Sequence, residues 1–199
     1  MNRVSPIGLC FSLALHALSG HAEDTAPRSL FHLESSWVDD SGHPRQLRDL
    51  DGDVLLVVLF YTRCMASCPM TVKALQMLER HENSVIGAHT KLVLVTVDPE
   101  RDTLDALRRY RLTMELDKKN WLLLRGSSTD VRKLAAVLGF NYEQIDSGEF
   151  AHSNLVTVLN RRGEIVHQQS GAGGDLEALS DAVRAAQSDS VPGGKGSRG

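Results

Sequence analysis

Nowhere in its 199 residues does this chain carry an uninterrupted apolar run of the roughly 20 residues that a membrane-spanning helix requires. Blocks of lysine and arginine are also missing. The 22 basic residues stand against 25 acidic ones for a net charge of −3, and aromatics make up only 5% of the chain, so neither a basic stripe nor an aromatic ladder points to nucleic acid. Cysteine is scarce, with three residues: Cys10, Cys64 and Cys68. What the sequence does have is 42% hydrophobic residues spread over a length suited to one domain with a sizeable core. No internal repeat and no second domain are visible.

The first segment reads as an address. Arg3 supplies a positive start, Pro6 to Leu18 a mostly apolar stretch, and Gly20-His21-Ala22 a small-x-small cleavage site, which predicts a signal peptide over 1–22 cut after Ala22. An uncleaved membrane anchor is the rival reading, but the stretch is short and His16 interrupts it. Cys10 lies inside the stretch rather than after it, which argues against a lipoprotein. A linker over 23–29, a domain over 30–187 and a disordered tail over 188–199, rich in Gly and Ser and poor in apolar residues, complete the expected organisation.

Removal of the leader takes Cys10 with it and leaves one close pair, Cys64 and Cys68, four apart. A structural disulfide is one reading of such a pair. A loop this small restricts the unfolded chain little, however, and a core of this size does not depend on it, so chemistry is the better reading. The pair sits where the strand-forming run Val54 to Tyr61 gives way to Pro69 and a helical pattern. Unpaired N–H groups and the positive end of the helix dipole at that place are expected to lower thiol pKa and favour thiolate, the form that binds soft metals or attacks disulfides.

Periodicity predicts alternating strands and helices. Phe31 to Val38 and Pro44 to Leu47, around the turn-like Asp39-Asp40-Ser41-Gly42, read as an opening hairpin. Val54 to Tyr61 is apolar on both faces, as in a central buried strand. A helix from Met70 to about His81 and a second buried strand, Lys91 to Val97, complete a βαβ unit. Then come a helix over Thr103 to about Met114, a strand over Trp121 to Leu124, and a helix over Ser127 to Leu138 with a capping box at its start and Gly139 at its stop. A hairpin, Leu155 to Leu159 and Glu164 to Gln168, and a helix from Asp175 to about Ala186 close the domain. The order describes an α/β fold of thioredoxin-like type, a mixed central sheet flanked by helices, with an N-terminal hairpin extension.

Three stretches in series carry a family resemblance: Leu59 to Pro69 with both cysteines, Val95 to Thr103 (VTVDPERDT), and Ala151-His152-Ser153 before a strand hairpin. With Leu47 to Gly52 they make residues 31–187 similar to the Sco/SenC family of thioredoxin-fold copper proteins. That resemblance implies a copper site on Cys64, Cys68 and His152. Two thiolates and an imidazole suit Cu(I) in a trigonal arrangement, or Cu(II) if an oxygen ligand adds. Zinc takes the same ligand types but usually four of them, and no fourth is evident. Without the resemblance, a single His before a strand reads as a surface or packed residue, and His81, His89 and His167 keep that reading.

Asp98 ends a buried strand on the side where α/β sheets place their sites, and it is expected either to reach the thiol loop in a supporting role or simply to end its strand. Arg101 and Asp102 are candidates for partner contact, with Asp102 or Thr103 capping the next helix as the alternative. Met65 stands where many relatives have proline, and Met70 follows Pro69. Their thioethers either assist Cu(I) or fill gaps in packing.

The resemblance further implies a chaperone that hands copper to the dinuclear CuA centre of cytochrome c oxidase subunit II or to another cuproprotein; the expected lack of a membrane anchor departs from many tethered relatives and suggests a soluble periplasmic carrier. Any membrane association would come through its partner. Oxidation of Cys64 and Cys68 to a disulfide would switch the site off, and a thiol reductant protein would restore it. The runner-up is a thiol-disulfide oxidoreductase acting on a cuproprotein's cysteines, with Cys64 attacking and Cys68 resolving. A copper sensor or buffer is a further reading, and a peroxidase role has least in its favour.

Overall fold

The computed structural model describes residues 29–80, 85–146, 148–170 and 174–188. The expected leader, most of the linker, His81 and the tail beyond Ser188 lie outside the described residues. Its organising element is β3 (Val54–Phe60), in which all seven residues are buried. An apolar run with no polar face can only sit mid-sheet. Accordingly β3 pairs in parallel with β4 (Thr90–Thr96) and antiparallel with β8 (Leu155–Leu159).

Outward from β4 lie β5 (Trp121–Gly126), then β1 (Trp37–Asp39) and β2 (Pro44–Arg45); outward from β8 lies β9 (Ile165–Ser170). The order β2-β1-β5-β4-β3-β8-β9 makes a seven-stranded mixed sheet. Four helices accompany it among the described residues: α1 (Ser67–Arg80), α2 (Leu104–Thr113), α3 (Ser128–Leu138) and α4 (Leu176–Ser188). This is the expected thioredoxin-like arrangement with its N-terminal hairpin extension. A separate two-stranded ribbon, β6 (Tyr142–Gln144) and β7 (Phe150–His152), stands outside the main sheet and was not expected from the sequence.

Local chemistry explains the boundaries. Thr103 caps α2 by accepting from the Ala106 N–H, and Ser127 caps α3 by accepting from that of Asp130. Gly139 stops α3 with φ +66°, the left-handed conformation that glycine adopts freely. The opening strand is shorter than its pattern suggests, because Leu30–His32 forms a 3-10 turn instead. Ser29 accepts from the Phe31 N–H, and the Leu30 N–H donates to the Gly163 carbonyl at 2.8 Å, so this segment bonds to the β8–β9 turn rather than to a strand.

The extension is held by two devices. Trp37, 1% exposed, lies over Gly126 of β5, where an added Cβ would meet the indole ring at 2.6 Å. A Gly126→Ala variant is expected to lose about 1–3 kcal/mol through overpacking, read as a lower denaturant midpoint. Beneath the hairpin turn, Arg111 of α2 meets Asp40 in a buried bidentate pair, with Nε–Oδ2 at 2.6 Å and Nη2–Oδ1 at 2.8 Å. The same guanidinium donates to the carbonyls of Leu116 and Trp121, both at 3.1 Å.

Candidate metal centre

The chain leaves β3 through Tyr61 and Thr62, turns back so that the Cys64 N–H donates to the Tyr61 carbonyl at 3.2 Å, and enters α1 at Ser67. Cys64 is therefore in the loop and Cys68 in the first turn of the helix. The thiol loop is fastened from below by Asp102, which has no exposed surface. Its carboxylate accepts from the Thr62 N–H at 3.0 Å, from the Thr62 hydroxyl at 2.6 Å and from the Thr96 hydroxyl at 2.5 Å. Asp102 thus ties the cysteine loop to the end of β4, and Thr103 alone caps α2.

Deleting this carboxylate strands a buried N–H and two hydroxyls, so Asp102→Ala is expected to cost about 1–3 kcal/mol, measurable by chemical unfolding, with Asp102→Asn recovering part of the loss. Asp98 is buried too, but it pairs with Arg101 at 2.5 Å and with Arg63, next to Cys64, at 3.5 Å. It reaches the thiol loop through that arginine. Arg101 also lies over the Phe150 ring at 5.5 Å.

His152 arrives from the other side, at the end of β7. Its ring stacks against Phe140 with centroids 6.0 Å apart and meets the edge of Tyr61 at 5.7 Å. Phe150 anchors the same ribbon, packing on Tyr61 at 5.3 Å and donating its N–H to the Tyr61 hydroxyl at 3.5 Å. Two residues after His152, the Asn154 side-chain carbonyl accepts from the Thr71 hydroxyl of α1 at 2.9 Å. His152 Nδ1 lies 2.7 Å from the Ser153 carbonyl, which can only accept, so Nδ1 carries a proton; Nε2 faces the thiols, offering a lone pair to a metal when the ring is neutral and an N–H to the Cys64 thiolate when it is charged.

The three candidate donor atoms converge. Nε2 is 3.8 Å from Cys64 Sγ and 3.9 Å from Cys68 Sγ, and all three lie within 4.8 Å of one another. With bonds of about 2.3 Å to sulfur and about 2.0 Å to imidazole nitrogen, three ligands at 120° would hold N and S about 3.7 Å apart. The observed N–S spacing fits a trigonal ion, in which the two sulfurs would stand about 4.0 Å apart, inside the 4.8 Å that spans the three donors. No fourth Cys, His, Asp or Glu joins the cluster among the described residues, which disfavours a closed four-ligand zinc site. The Ser67 hydroxyl, 3.5 Å from Nε2 and 3.7 Å from Cys64 Sγ, is the additional polar group that sequence reasoning did not single out.

Electrostatics splits the pair, where the sequence led us to expect both thiols lowered. Burial pushes Cys64 up, but the Cys68 N–H, the Cys68 thiol, His152 and the Ala66 N–H outweigh it and bring Cys64 down to about 6. Cys68 is driven the other way, by burial first and then by the hydrogen bond and negative charge of Cys64. Exposure separates the two thiols little, at 6% and 3%. Met65 and Met70, by contrast, are 88% and 60% exposed, so neither fills a gap in the packing. His89 sits 3.4 Å from Asp53 and His167 3.2 Å from the Gln169 side chain, neither of them part of this centre.

Residues 23–187 match the family model described as SCO1/SenC. A 160-residue stretch covering 77% of this chain is 28% identical to the human "Protein SCO2 homolog, mitochondrial"; the chain spans only 57% of that relative's length. Among solved structures, apo Sco1 from Thermus thermophilus superposes with a TM-score of 0.60 at 25% identity, over 80% of this chain and 95% of that one. Yeast Sco1 with copper bound gives 0.67 at 19% identity, over 83% and 92%, a likeness of fold.

Proposed function

Because this chain belongs to the SCO1/SenC family, we propose that it is a copper metallochaperone that binds the ion through Cys64, Cys68 and His152. The observation that carries this reading is the convergence of two sulfurs and an imidazole lone pair within 4.8 Å on a prearranged scaffold. Copper bound to a relative of the same fold adds support. Two thiolates and one imidazole favour a soft, low-coordinate ion, which selects Cu(I) over harder divalent cations. Capture needs little from Cys64, already inclined to thiolate, whereas Cys68 gives up its proton as the metal arrives.

In this reading the protein works in the periplasm after export and passes copper to the CuA centre of cytochrome c oxidase subunit II. The ligands exchange one at a time between donor and acceptor. Oxidation of the two thiols releases two protons and two electrons to an oxidant and forms the Cys64–Cys68 disulfide, which removes both thiolates from the site. A thiol reductant protein returns the electrons.

One observation favours a second reading, a thiol-disulfide oxidoreductase: the unequal thiols, Cys64 lowered and Cys68 raised, make a natural attacking and resolving pair. Copper titration of the reduced protein under anaerobic conditions, with His152→Ala alongside, separates the two. For a chaperone, the variant loses Cu affinity by more than the roughly 10- to 100-fold that removal of an outer partner costs, while disulfide exchange persists. Absence of copper binding with exchange intact would transfer the assignment to the oxidoreductase.

A further inference from the structure

The thiols of the centre are buried, at 6% and 3% exposure, yet the two methionines that flank them in sequence are among the most exposed large apolar side chains in the described residues. We propose that Met65 and Met70 form an entry relay, soft thioether donors on the solvent side that take Cu(I) from a carrier complex and pass it inward to Cys64. The proposal rests on the copper reading of the centre.

Placement supports it. Met65 directly follows Cys64, with neighbouring Cα atoms about 3.8 Å apart, and its flexible three-torsion side chain is 88% exposed on the thiol loop. Met70 lies three residues after Ser67 on α1, hence on the same helix face. That is the face whose hydroxyl touches both Cys64 Sγ and His152 Nε2. The one cation on the loop, Arg63, is turned to Asp98 at 3.5 Å, which offsets a positive charge that would repel an incoming cation.

The chemistry fits the task. A thioether has no proton to lose and no charge, so it binds Cu(I) without competition from protons and more weakly than a thiolate. Copper stays Cu(I) throughout. A bond to the carrier breaks as a bond to a methionine sulfur forms; that bond breaks in turn as the Cys64 thiolate bonds, and Cys68 then binds and releases its proton to solvent. A relay of this kind lowers the barrier between outside and inside and leaves the end states alone.

The test is stopped-flow transfer of Cu(I) from its bis-bicinchoninate complex to the reduced full chain, comparing the parent with Met65→Leu, Met70→Leu and the double variant. Leucine keeps volume and apolarity and removes only the sulfur, and thermal unfolding checks that the fold is kept. The double variant is expected to load at least about tenfold more slowly, the lower end of the range over which on-rates vary among variants of one site. Equilibrium affinity should stay within about twofold, so release to excess chelator must slow by the same factor. Loading as fast as the parent overturns the relay, and so does an affinity loss that accounts for the whole rate change, since the sulfurs would then be resident ligands. A parent that takes up no Cu(I) at all defeats the reading of the centre itself, a result distinct from either.

Discussion

Titrated by its ultraviolet thiolate absorbance, the reduced protein carrying Cys10→Ser should show one thiolate appearing with a midpoint near pH 6 and no second until strongly alkaline pH. At pH 7 a thiol of pKa about 6 is roughly nine-tenths ionised, about thirtyfold more than an ordinary cysteine near 8.5. Loss of the Cys68 side chain in a Cys68→Ala variant removes a thiol hydrogen bond to Cys64 and should move the midpoint upward; His152→Ala should do the same.

The consequence for stability has a definite sign. A thiol whose native pKa lies below its unfolded value stabilises the fold above the ordinary thiol range, and that contribution is lost as pH falls through about 6. Cys68, raised in the native state, acts oppositely and only in the alkaline range, where the unfolded chain ionises first. Between about pH 6 and the ordinary thiol range, chemical unfolding should therefore show the Cys64 contribution growing with pH.

Arg111→Ala should be the most damaging single change outside the centre, costing about 3–5 kcal/mol, because it leaves the Asp40 carboxylate buried and unpaired. The carbonyls of Leu116 and Trp121 lose a donor at the same time. For a domain of this size the midpoint of thermal unfolding should fall by on the order of 10 °C. Replacing both partners, Arg111→Met with Asp40→Leu, should recover much of the loss, since no uncompensated charge remains in the interior. If the single variant proves as stable as the parent, the pair contributes nothing and the N-terminal hairpin is held by Trp37 and sheet pairing alone.

Much of this architecture can be read from residue patterns, and the places where it cannot have physical causes. Seven apolar residues in β3 and the stripe Val131, Leu134, Ala135, Leu138 in α3 announce a buried strand and an amphipathic helix. The start of α1 is harder to read, because Pro69 looks like a boundary although proline is tolerated in a helix's first turn; the helix begins at Ser67 and takes Cys68 with it.

The β6–β7 ribbon has strands of three residues, none of them fully buried, and a turn whose Gly148 has φ +77°, too short for an alternating pattern to register. His152 consequently reads from pattern alone as a surface or packed residue before a strand, and only the family resemblance singled it out. Asp102 is illegible for another reason. Its partners Thr62 and Thr96 are 40 and 6 residues away, and nothing local marks a long-range acceptor. The divergence of the two thiols is likewise a tertiary property, set by burial and by each thiol's effect on the other.

The ribbon carries one more consequence. Both sulfurs belong to the β3–α1 junction at the heart of the sheet, whereas the imidazole rides on a two-stranded hairpin, the kind of element that has little stability of its own. Hydrogen exchange in β6 and β7 should accordingly run ahead of that in β3 and β4. The centre is therefore a vice with one fixed jaw and one loose one. Opening it takes a local fluctuation that leaves the frame clamped, so the imidazole can part from the sulfurs while the core stays closed.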